Sequence, residues 1–232
     1  QQMQGRLNRD SQAPVITNII HQMVTDKEDL PAGTGIRRSP INDFFDAVFC
    51  INLKRRPDRL ESVKRQFHIH NINVEYIEAV DGNDLEITEF IGSDNEKGTK
   101  GDIGCVLSHL KVAQIAKDRG LKNYFVFEDD AEIADNFNEQ FAAFTKELPD
   151  DWQMYYLGGN HDKPFTRLST HMAQMWHTFT THAIGINASI YDTLIETLAK
   201  QADKVDLYFS SLHATHKCYV CQPHLVFQAE SF

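Results

Sequence analysis

The chain alternates short apolar runs with segments of helical periodicity, and this alternation restricts its fold more than any other feature. The run Ala47–Leu53 lacks a helical period and fits a buried strand. Pro57 can then occupy the first turn of a helix whose Leu60, Val63 and Phe67 share one face. Strand–turn–helix units of this kind predict an α/β fold in which a mixed, mostly parallel sheet is flanked by helices.

The same pattern continues along the chain. Further strands are predicted at 74–80, 124–127, 153–157, 181–186 and 217–222. One further helix is expected from about Ile103 to Arg119, with Asp102 as its N-cap and Gly120 as its C-terminal stop. Another is expected from about Ser189 to Ala202.

Residues 1–43 differ from the rest. They carry turn formers and a single apolar cluster around Val15–Met23, which predicts a short helix followed by a linker, so residues 44–232 are predicted to form the globular domain. No run reaches the roughly 18 to 20 apolar residues that cross a bilayer, and the first ten residues are not an export signal. A cytoplasmic protein is therefore expected, unless the chain is a piece of a secreted or viral polypeptide.

The charge of the chain is negative but unevenly placed. The 33 acidic against 23 basic residues give a net charge of -10, which disfavours a nucleic-acid partner. Residues 37–67 nevertheless hold eight Lys or Arg against four acids, whereas residues 128–151 hold nine acids against one Lys. A basic segment and a cation bound by the acidic one could together hold a doubly charged diphosphate.

Three acids, Glu128, Asp129 and Asp130, directly follow the apolar strand Tyr124–Phe127. Ligands of open α/β sheets bind at the carboxyl ends of strands. Adjacent carboxylates repel one another unless a cation neutralises them, and Mg²⁺ or Mn²⁺ prefers such oxygen ligands. A solvated loop leading into a helix is the alternative interpretation.

Two other segments carry weaker signals. Ile51–Arg59 contains four basic residues beside a predicted helix N-terminus, which favours an anion, although a charged surface turn has the same pattern. Gly101–His109 places two glycines near a helix start, where they allow close backbone approach next to Ser108 and His109.

Taken together and in this order, these segments resemble glycosyltransferase family 25, the group of lipopolysaccharide, lipooligosaccharide and procollagen galactosyltransferases. The resemblance is carried by I-N-L at 51–53, R-x-x-R at 56–59, A-x-D-G at 79–82, G-D-x-G-C-x-x-S-H at 101–109 and E-D-D at 128–130. Asp102 stands where the family usually has Glu. Weaker matches are V-D-x-x at 205–208 and the segment Pro223–Ser231.

The resemblance implies a GT-A-type, Rossmann-like fold and an inverting transferase. It implies a UDP-sugar donor, most often UDP-galactose, with Mn²⁺ or Mg²⁺ as cofactor and a saccharide or hydroxylated protein as acceptor, as in lipopolysaccharide biosynthesis. Glu128, Asp130 and His224 would bind the metal ion, and Asp206 would be the catalytic base, although an acid that caps a late helix is the alternative. The donor-binding residues would be Asn52, Leu53, Arg56, Arg59, Asp81, Ser108, His109 and Asp129.

Two other functions stay open. The first is a non-catalytic binding domain of a larger polypeptide that retains the fold. The second is a zinc module in which Cys218 and Cys221 act with His213, His216 and His224. Because Tyr219 and Val220 favour a strand, whose positions i and i+3 face opposite sides, we expect the cysteines to be reduced, buried thiols.

Overall fold

The computed structural model describes residues 38–86 and 90–229. The helix predicted around Val15–Met23 and the end of the segment Pro223–Ser231 lie outside these residues. Within the described ranges, no helix is both long enough and apolar enough to cross a bilayer.

Helices and strands alternate along the described chain. The helices are α1 (Pro40–Phe44), α2 (Pro57–Ile69), α3 (Lys100–Asp118), α4 (Phe137–Phe144), α5 (Tyr191–Leu198) and α6 (Val205–His213). The strands are β1 (Ala47–Asn52), β2 (Glu75–Glu78), β3 (Phe90–Ile91), β4 (Lys97–Gly98), β5 (Asn123–Glu128), β6 (Ala131–Ile133), β7 (Met154–Tyr156), β8 (Asn160–His161), β9 (Thr166–Arg167), β10 (Met172–Gln174), β11 (Thr178–Phe179), β12 (Ala183–Asn187), β13 (Cys218–Cys221) and β14 (Val226–Gln228).

Eight of these strands form one sheet in the order β2-β1-β5-β12-β7-β13-β10-β9. The strands β2, β1 and β5 are parallel neighbours, and β12 runs against both β5 and β7. Only β12 and β10 oppose the common direction, so six of the eight strands point the same way. The predicted α/β class, with a mixed sheet flanked by helices, is confirmed.

Each face of the sheet has its own apolar core. Alternate residues of β1 belong to different cores. Phe49 packs with α3, α5 and α6, whereas Val48 and Cys50 pack with α1, α2 and α4. This division follows from the period of two residues in a strand. The sheet is therefore buried on both sides, which explains why its central strands are continuous apolar runs.

The start of α3 differs from the sequence prediction. The N-cap is Thr99, whose hydroxyl accepts from the Asp102 N–H at 3.2 Å, while the Asp102 carboxylate accepts from the Thr99 N–H at 2.7 Å. Asp102 is thus the third residue of a capping box rather than the N-cap, and the helix begins three residues earlier than expected. Its predicted end is confirmed, since Gly120 has a φ of 65°.

The zinc-module alternative is not supported by the strand it depends on. Cys218 and Cys221 are both free, fully buried and on opposite faces of β13. Their side chains therefore belong to different cores, as the strand pattern predicted.

Several elements escaped sequence analysis. The pattern did not reveal α4 or the short pairs β6–β14 and β8–β11, and the helix expected at 189–202 is a 3₁₀ turn followed by the shorter α5. The β6–β14 pair matters most for the site, because it brings the end of the described chain back beside the acidic triplet.

Candidate functional site

The carboxyl ends of the parallel strands meet at one edge of the sheet. Asn52 ends β1 and Glu128 ends β5, and the register pairs Ile51 with Glu128 and Asn52 with Glu78 of β2. The acidic triplet therefore lies next to the I-N-L segment, because the two strands are neighbours that run in the same direction.

Asp129 connects the acidic triplet to the basic turn. Its carboxylate accepts from the Asn52 amide at 2.6 Å and pairs with the Arg59 guanidinium at 3.1 Å. Its side chain is only 9% exposed, so these charge-assisted contacts replace most of its hydration. Arg59 lies in the first turn of α2, whose N-terminus faces the same edge.

Asp130 is the least satisfied acid of the site. Oδ2 contacts Arg59 at 3.4 Å and accepts from the Gln228 amide at 3.2 Å, whereas Oδ1 is buried without a hydrogen-bond partner. Burial and the nearby Glu128 carboxylate raise the pKa of Asp130 to about 6. A buried carboxylate oxygen with no donor is costly, and a cation would remove that cost.

Glu128 turns toward the α3 side of the sheet. Its Oε1 lies 3.0 Å from the Nε2 of His109 and accepts from the Thr181 hydroxyl at 2.5 Å. Burial acts to raise its pKa, but the His109 and Thr181 contacts outweigh this and lower it. Glu128 is therefore held in its ionised form.

Asp206, in the first turn of α6, belongs to the same cluster. Burial and the Glu128 carboxylate raise its pKa to about 6, while the Thr180 backbone N–H, the His109 ring and the nearby Thr181 hydroxyl act to lower it. Thr181 thus connects Glu128 with Asp206, which are 78 positions apart in the sequence.

The segment that supplies these donors has an unusual backbone. Thr180 lies between β11 and β12 with a φ of 74°, a left-handed value that a β-branched residue seldom adopts. Strain of this kind costs about 1–3 kcal/mol and is concentrated at functional sites. No sequence pattern indicated it.

The carboxylates suit a hard divalent cation. Glu128 and Asp130 carry carboxylate oxygens of the kind that such a cation prefers, and the buried Oδ1 of Asp130 has no hydrogen-bond partner. A second group of possible ligands is different in kind: the ligand atoms of Cys105, His109 and Glu128 lie within 4.8 Å of one another.

The remaining residues near Ile51–Arg59 that were predicted to bind the sugar donor have local contacts. Arg56 pairs with Asp58 at 2.7 Å on the surface, and Asp81 pairs with Arg55 at 2.6 Å. The Asp81 carboxylate also accepts from the Asn83 N–H and so caps a 3₁₀ turn. Leu53 is half-buried directly after β1.

Ser108 is engaged by the backbone. Its hydroxyl donates to the Gly104 carbonyl at 2.7 Å and accepts from the Val80 N–H at 2.9 Å. A Cβ on Gly104 would stand 2.6 Å from the Val80 carbonyl oxygen and 2.9 Å from the Gly82 nitrogen. The A-x-D-G loop therefore packs directly on α3, and the glycines permit this approach.

His224 contacts His161 and Gln222. Its Nε2 is 3.1 Å from the Nε2 of His161 and 3.2 Å from the Gln222 amide. Burial and the neighbouring His161 lower its pKa to about 4. Its part in metal binding stays a prediction.

Two clefts flank the acidic triplet. The first, of about 230 Å³, is lined by Arg59, Asp129 and Asp130 together with polar side chains of α2. The second, of about 240 Å³, is lined by Asn160, Thr180, His224, Phe227 and Gln228. The second cleft therefore touches both Thr180, which donates to Asp206, and Gln228, which donates to Asp130.

A buried mixed sheet with carboxylates and an arginine at the carboxyl edge of its parallel strands defines an α/β protein, a class in which open sheets generally bind their ligands at that edge. Within this class, the chain belongs to glycosyltransferase family 25, described as an LPS biosynthesis protein family, which it matches over residues 45–219.

Curated relatives include both active and inactive proteins. The chain is 30% identical over 164 residues to human procollagen galactosyltransferase 2, covering 62% of this chain and 26% of that protein. It is 31% identical over 169 residues to the mouse inactive glycosyltransferase 25 family member 3, covering 64% of this chain and 28% of that protein. The chain thus spans a little over a quarter of these relatives.

Solved structures give more distant similarities. A glycosyltransferase involved in the glycosylation of the major capsid of PBCV-1 is 11% identical, with a TM-score of 0.40 and coverage of 67% of this chain and 66% of that one. Mouse xyloside xylosyltransferase 1 is also 11% identical, with a TM-score of 0.38 and coverage of 71% and 68%.

Proposed function

We propose that this chain is a metal-dependent inverting glycosyltransferase that transfers a hexose, with galactose from UDP-galactose as the first donor to test. The observation that carries the proposal is the cluster of Glu128, Asp130 and Asp206 beside Arg59, in which one carboxylate oxygen is buried without a partner. Family membership and the relatives named procollagen galactosyltransferases support it.

Glu128 and Asp130 would hold the cation, Mn²⁺ or Mg²⁺. When bound, such a cation neutralises charge that develops on the departing diphosphate. Arg59 contacts Asp130, so its guanidinium would lie near a diphosphate bound to the cation and would also neutralise the charge on its oxygens. Asn52 fixes Asp129, which would position the nucleotide.

Asp206 would act as the general base. An inverting transfer needs a carboxylate that takes the proton of the acceptor hydroxyl as the new glycosidic bond forms on the opposite face of the sugar. The raised pKa of Asp206, about 6, makes its carboxylate a stronger base than a solvated one while leaving it ionised at neutral pH. The Thr180 backbone N–H, which donates to the Asp206 carboxylate, would hold it in position.

The second cleft is suited to the acceptor. It is lined by Thr180 and Gln228, so an occupant would contact the residues that hydrogen-bond to Asp206 and Asp130. Phe227, half exposed at its rim, offers an aromatic surface next to the polar groups of His224 and Asn160. A saccharide, which has apolar C–H faces and hydroxyl groups, matches this lining.

The decisive experiment is thermal unfolding of the full chain with UDP, with and without Mn²⁺. UDP with Mn²⁺ should stabilise the protein, by about 2.7 kcal/mol at a UDP concentration 100 times Kd. Glu128→Gln and Asp130→Asn should abolish this stabilisation, whereas Glu139→Gln, the same change at an exposed acid of α4, should leave it intact. A folded wild-type protein without any metal-linked response to UDP would refute the proposal.

The base is tested separately by turnover. Asp206→Asn should keep metal-linked UDP binding but reduce release of UDP from UDP-galactose in the presence of acceptor by at least about 100-fold. Full activity of this variant would remove Asp206 from the mechanism.

A second candidate function is a non-catalytic binding domain of a larger polypeptide. It is favoured by the relatives that are named inactive. This function predicts binding without turnover across a panel of UDP-sugars, and hydrolysis of any donor by the wild-type chain would exclude it.

A further inference from the structure

Cys105, His109 and Glu128 form a cluster that the proposed transfer reaction does not need as a unit. Cys105 and His109 are four positions apart on α3, so they lie on the same face of the helix in successive turns. Glu128 ends the neighbouring strand β5, and its Oε1 is 3.0 Å from the Nε2 of His109. All three ligand atoms lie within 4.8 Å of one another.

The chemistry of this cluster differs from that of the acidic triplet. A thiolate, an imidazole and a carboxylate are the ligand types of Zn²⁺ and Co²⁺, whereas Mg²⁺ and Mn²⁺ prefer oxygen ligands alone. Three protein ligands with a fourth position open to water is the arrangement of accessible zinc sites.

The surroundings would hold the ligands in place. Thr181 donates to Glu128, as outer contacts to a metal-binding carboxylate commonly do. The ring of Phe209 packs edge-on against that of His109 at 5.5 Å between centroids, which restricts rotation of the imidazole. Burial and the Glu128, Asp206 and Asp130 carboxylates raise the pKa of the Cys105 thiol, and the same negative charge attracts a cation to this position.

We propose that Cys105, His109 and Glu128 form a site for a thiolate-accepting divalent cation, with Zn²⁺ as the physiological candidate, and that its occupation inhibits the chain. Binding replaces the S–H bond of Cys105 with a metal–sulfur bond, and the proton passes to the buffer. Glu128 cannot then serve the hard cation of the donor site, so the two metals compete. The inhibition rests on the proposed transferase function, but the site itself does not.

The test uses Co²⁺ as a spectroscopic probe of the purified full chain. Co²⁺ should produce a near-ultraviolet thiolate-to-cobalt charge-transfer band, and one equivalent of Zn²⁺ should remove it. Cys105→Ser should abolish the band and weaken Zn²⁺ binding at least about tenfold. Cys218→Ala, which removes a buried thiol of β13, is the matched control and should retain both. Circular dichroism establishes that each variant is folded.

The functional arm measures release of UDP from UDP-galactose. Zn²⁺ should inhibit the Mn²⁺-dependent reaction of the wild-type chain, and Cys105→Ser should be at least about tenfold less sensitive. A charge-transfer band that survives in Cys105→Ser, or Co²⁺ binding without any such band in the wild type, would overturn the site. Failure of the transferase proposal would appear instead as no metal-linked UDP response, with the cobalt spectrum unaffected.

Discussion

At the scale of single residues, Arg59 balances the acidic triplet. Its side chain is 23% exposed and contacts both Asp129 and Asp130. In the metal-free protein Arg59 therefore partly neutralises these two carboxylates, as a bound cation would. The Oδ1 atom of Asp130 is still buried without a hydrogen-bond partner.

Replacing Arg59 tests this balance. Arg59→Met keeps an unbranched apolar side chain but removes the guanidinium that pairs with two largely buried carboxylates. The free energy of unfolding, measured by urea denaturation, should therefore fall by about 2 kcal/mol. Addition of Mn²⁺ should restore stability more strongly in this variant than in the wild type. Arg56→Met is the matched control, and it should have little effect because Arg56 pairs with Asp58, whose side chain is 62% exposed to solvent. Equal losses in the two variants would contradict the assignment.

At the scale of elements, α3 is positioned by close packing of backbone. Its first turns carry the capping box, and Gly104 lies against the A-x-D-G loop with no space for a Cβ. This contact sets where His109 and Cys105, on the next turns, face the end of β5.

Two alanine substitutions in α3 should therefore differ in their effect on the free energy of unfolding. Gly104→Ala should lower the free energy of unfolding by about 1–3 kcal/mol, because the new methyl group meets backbone atoms of Val80 and Gly82 that cannot move freely. Gly101→Ala should be neutral or slightly stabilising, since its Cβ would meet only the Thr99 hydroxyl at 3.5 Å and alanine favours helix. Thermal unfolding of both variants checks this, and a stable Gly104→Ala would mean that the helix and loop are not in close contact.

At the scale of the whole molecule, two histidines with lowered pKa values contribute to its acid sensitivity. Burial, with the neighbouring His177 and His161, lowers the pKa of His213 to about 3. Burial, with His161 and His182, lowers that of His224 to about 4. His213 is fully buried, with its Nε2 3.0 Å from the Tyr156 hydroxyl.

The sign of the pH effect follows from these shifts. The unfolded chain takes up protons at an ordinary histidine pKa of 6.5, before the folded one does, so each histidine destabilises the fold as the pH decreases from about 6.5 toward its folded value. Asp130 and Asp206, whose pKa values are raised, act in the opposite direction. Because these contributions have opposite signs, the effect of one histidine is measured as the difference in pH dependence of the free energy of unfolding between wild type and a variant that lacks it.

Removing one histidine should flatten this dependence. In His224→Asn, the slope of the free energy of unfolding between about pH 6 and pH 4.5 should change by up to about 1.4 kcal/mol per pH unit relative to wild type. His68→Asn, the same change at an exposed position of α2, is the matched control for the substitution itself. Urea denaturation at several pH values, without metal, gives the free energy of unfolding of each protein. Equal pH slopes for wild type and His224→Asn would contradict the assignment.

Much of the site follows from short-range pattern. Ile51–Leu53 and Glu128–Asp130 were located because each ends an apolar run, and the ends of parallel neighbouring strands meet at one edge. The helix after Pro57 and its buried Val63 and Phe67 follow from helical period. Asp206 came only from the weak V-D-x-x match, and the structure brings it beside Glu128.

Other features depended on contacts between distant segments. The Thr181–Glu128 contact and the return of Gln228 to Asp130 are pairings across 53 and 98 positions, which no local period encodes. The left-handed backbone of Thr180 likewise has no sequence pattern that indicates it. Asp102 was misplaced because its carboxylate caps a helix from the third position, a role that depends on the Thr99 hydroxyl as well as on its own residue type.

The sequence by itself determined the strand and helix alternation, the family and the acids at the sheet edge, because apolar periodicity and strand ends are local properties. The tertiary structure alone decided which partner each acid has, which oxygen of Asp130 is left without one, and that Cys105 and His109 face Glu128. Those outcomes depend on burial and on distances of a few ångströms between segments that are remote in the chain, and such distances are set only when the two faces of the sheet are packed.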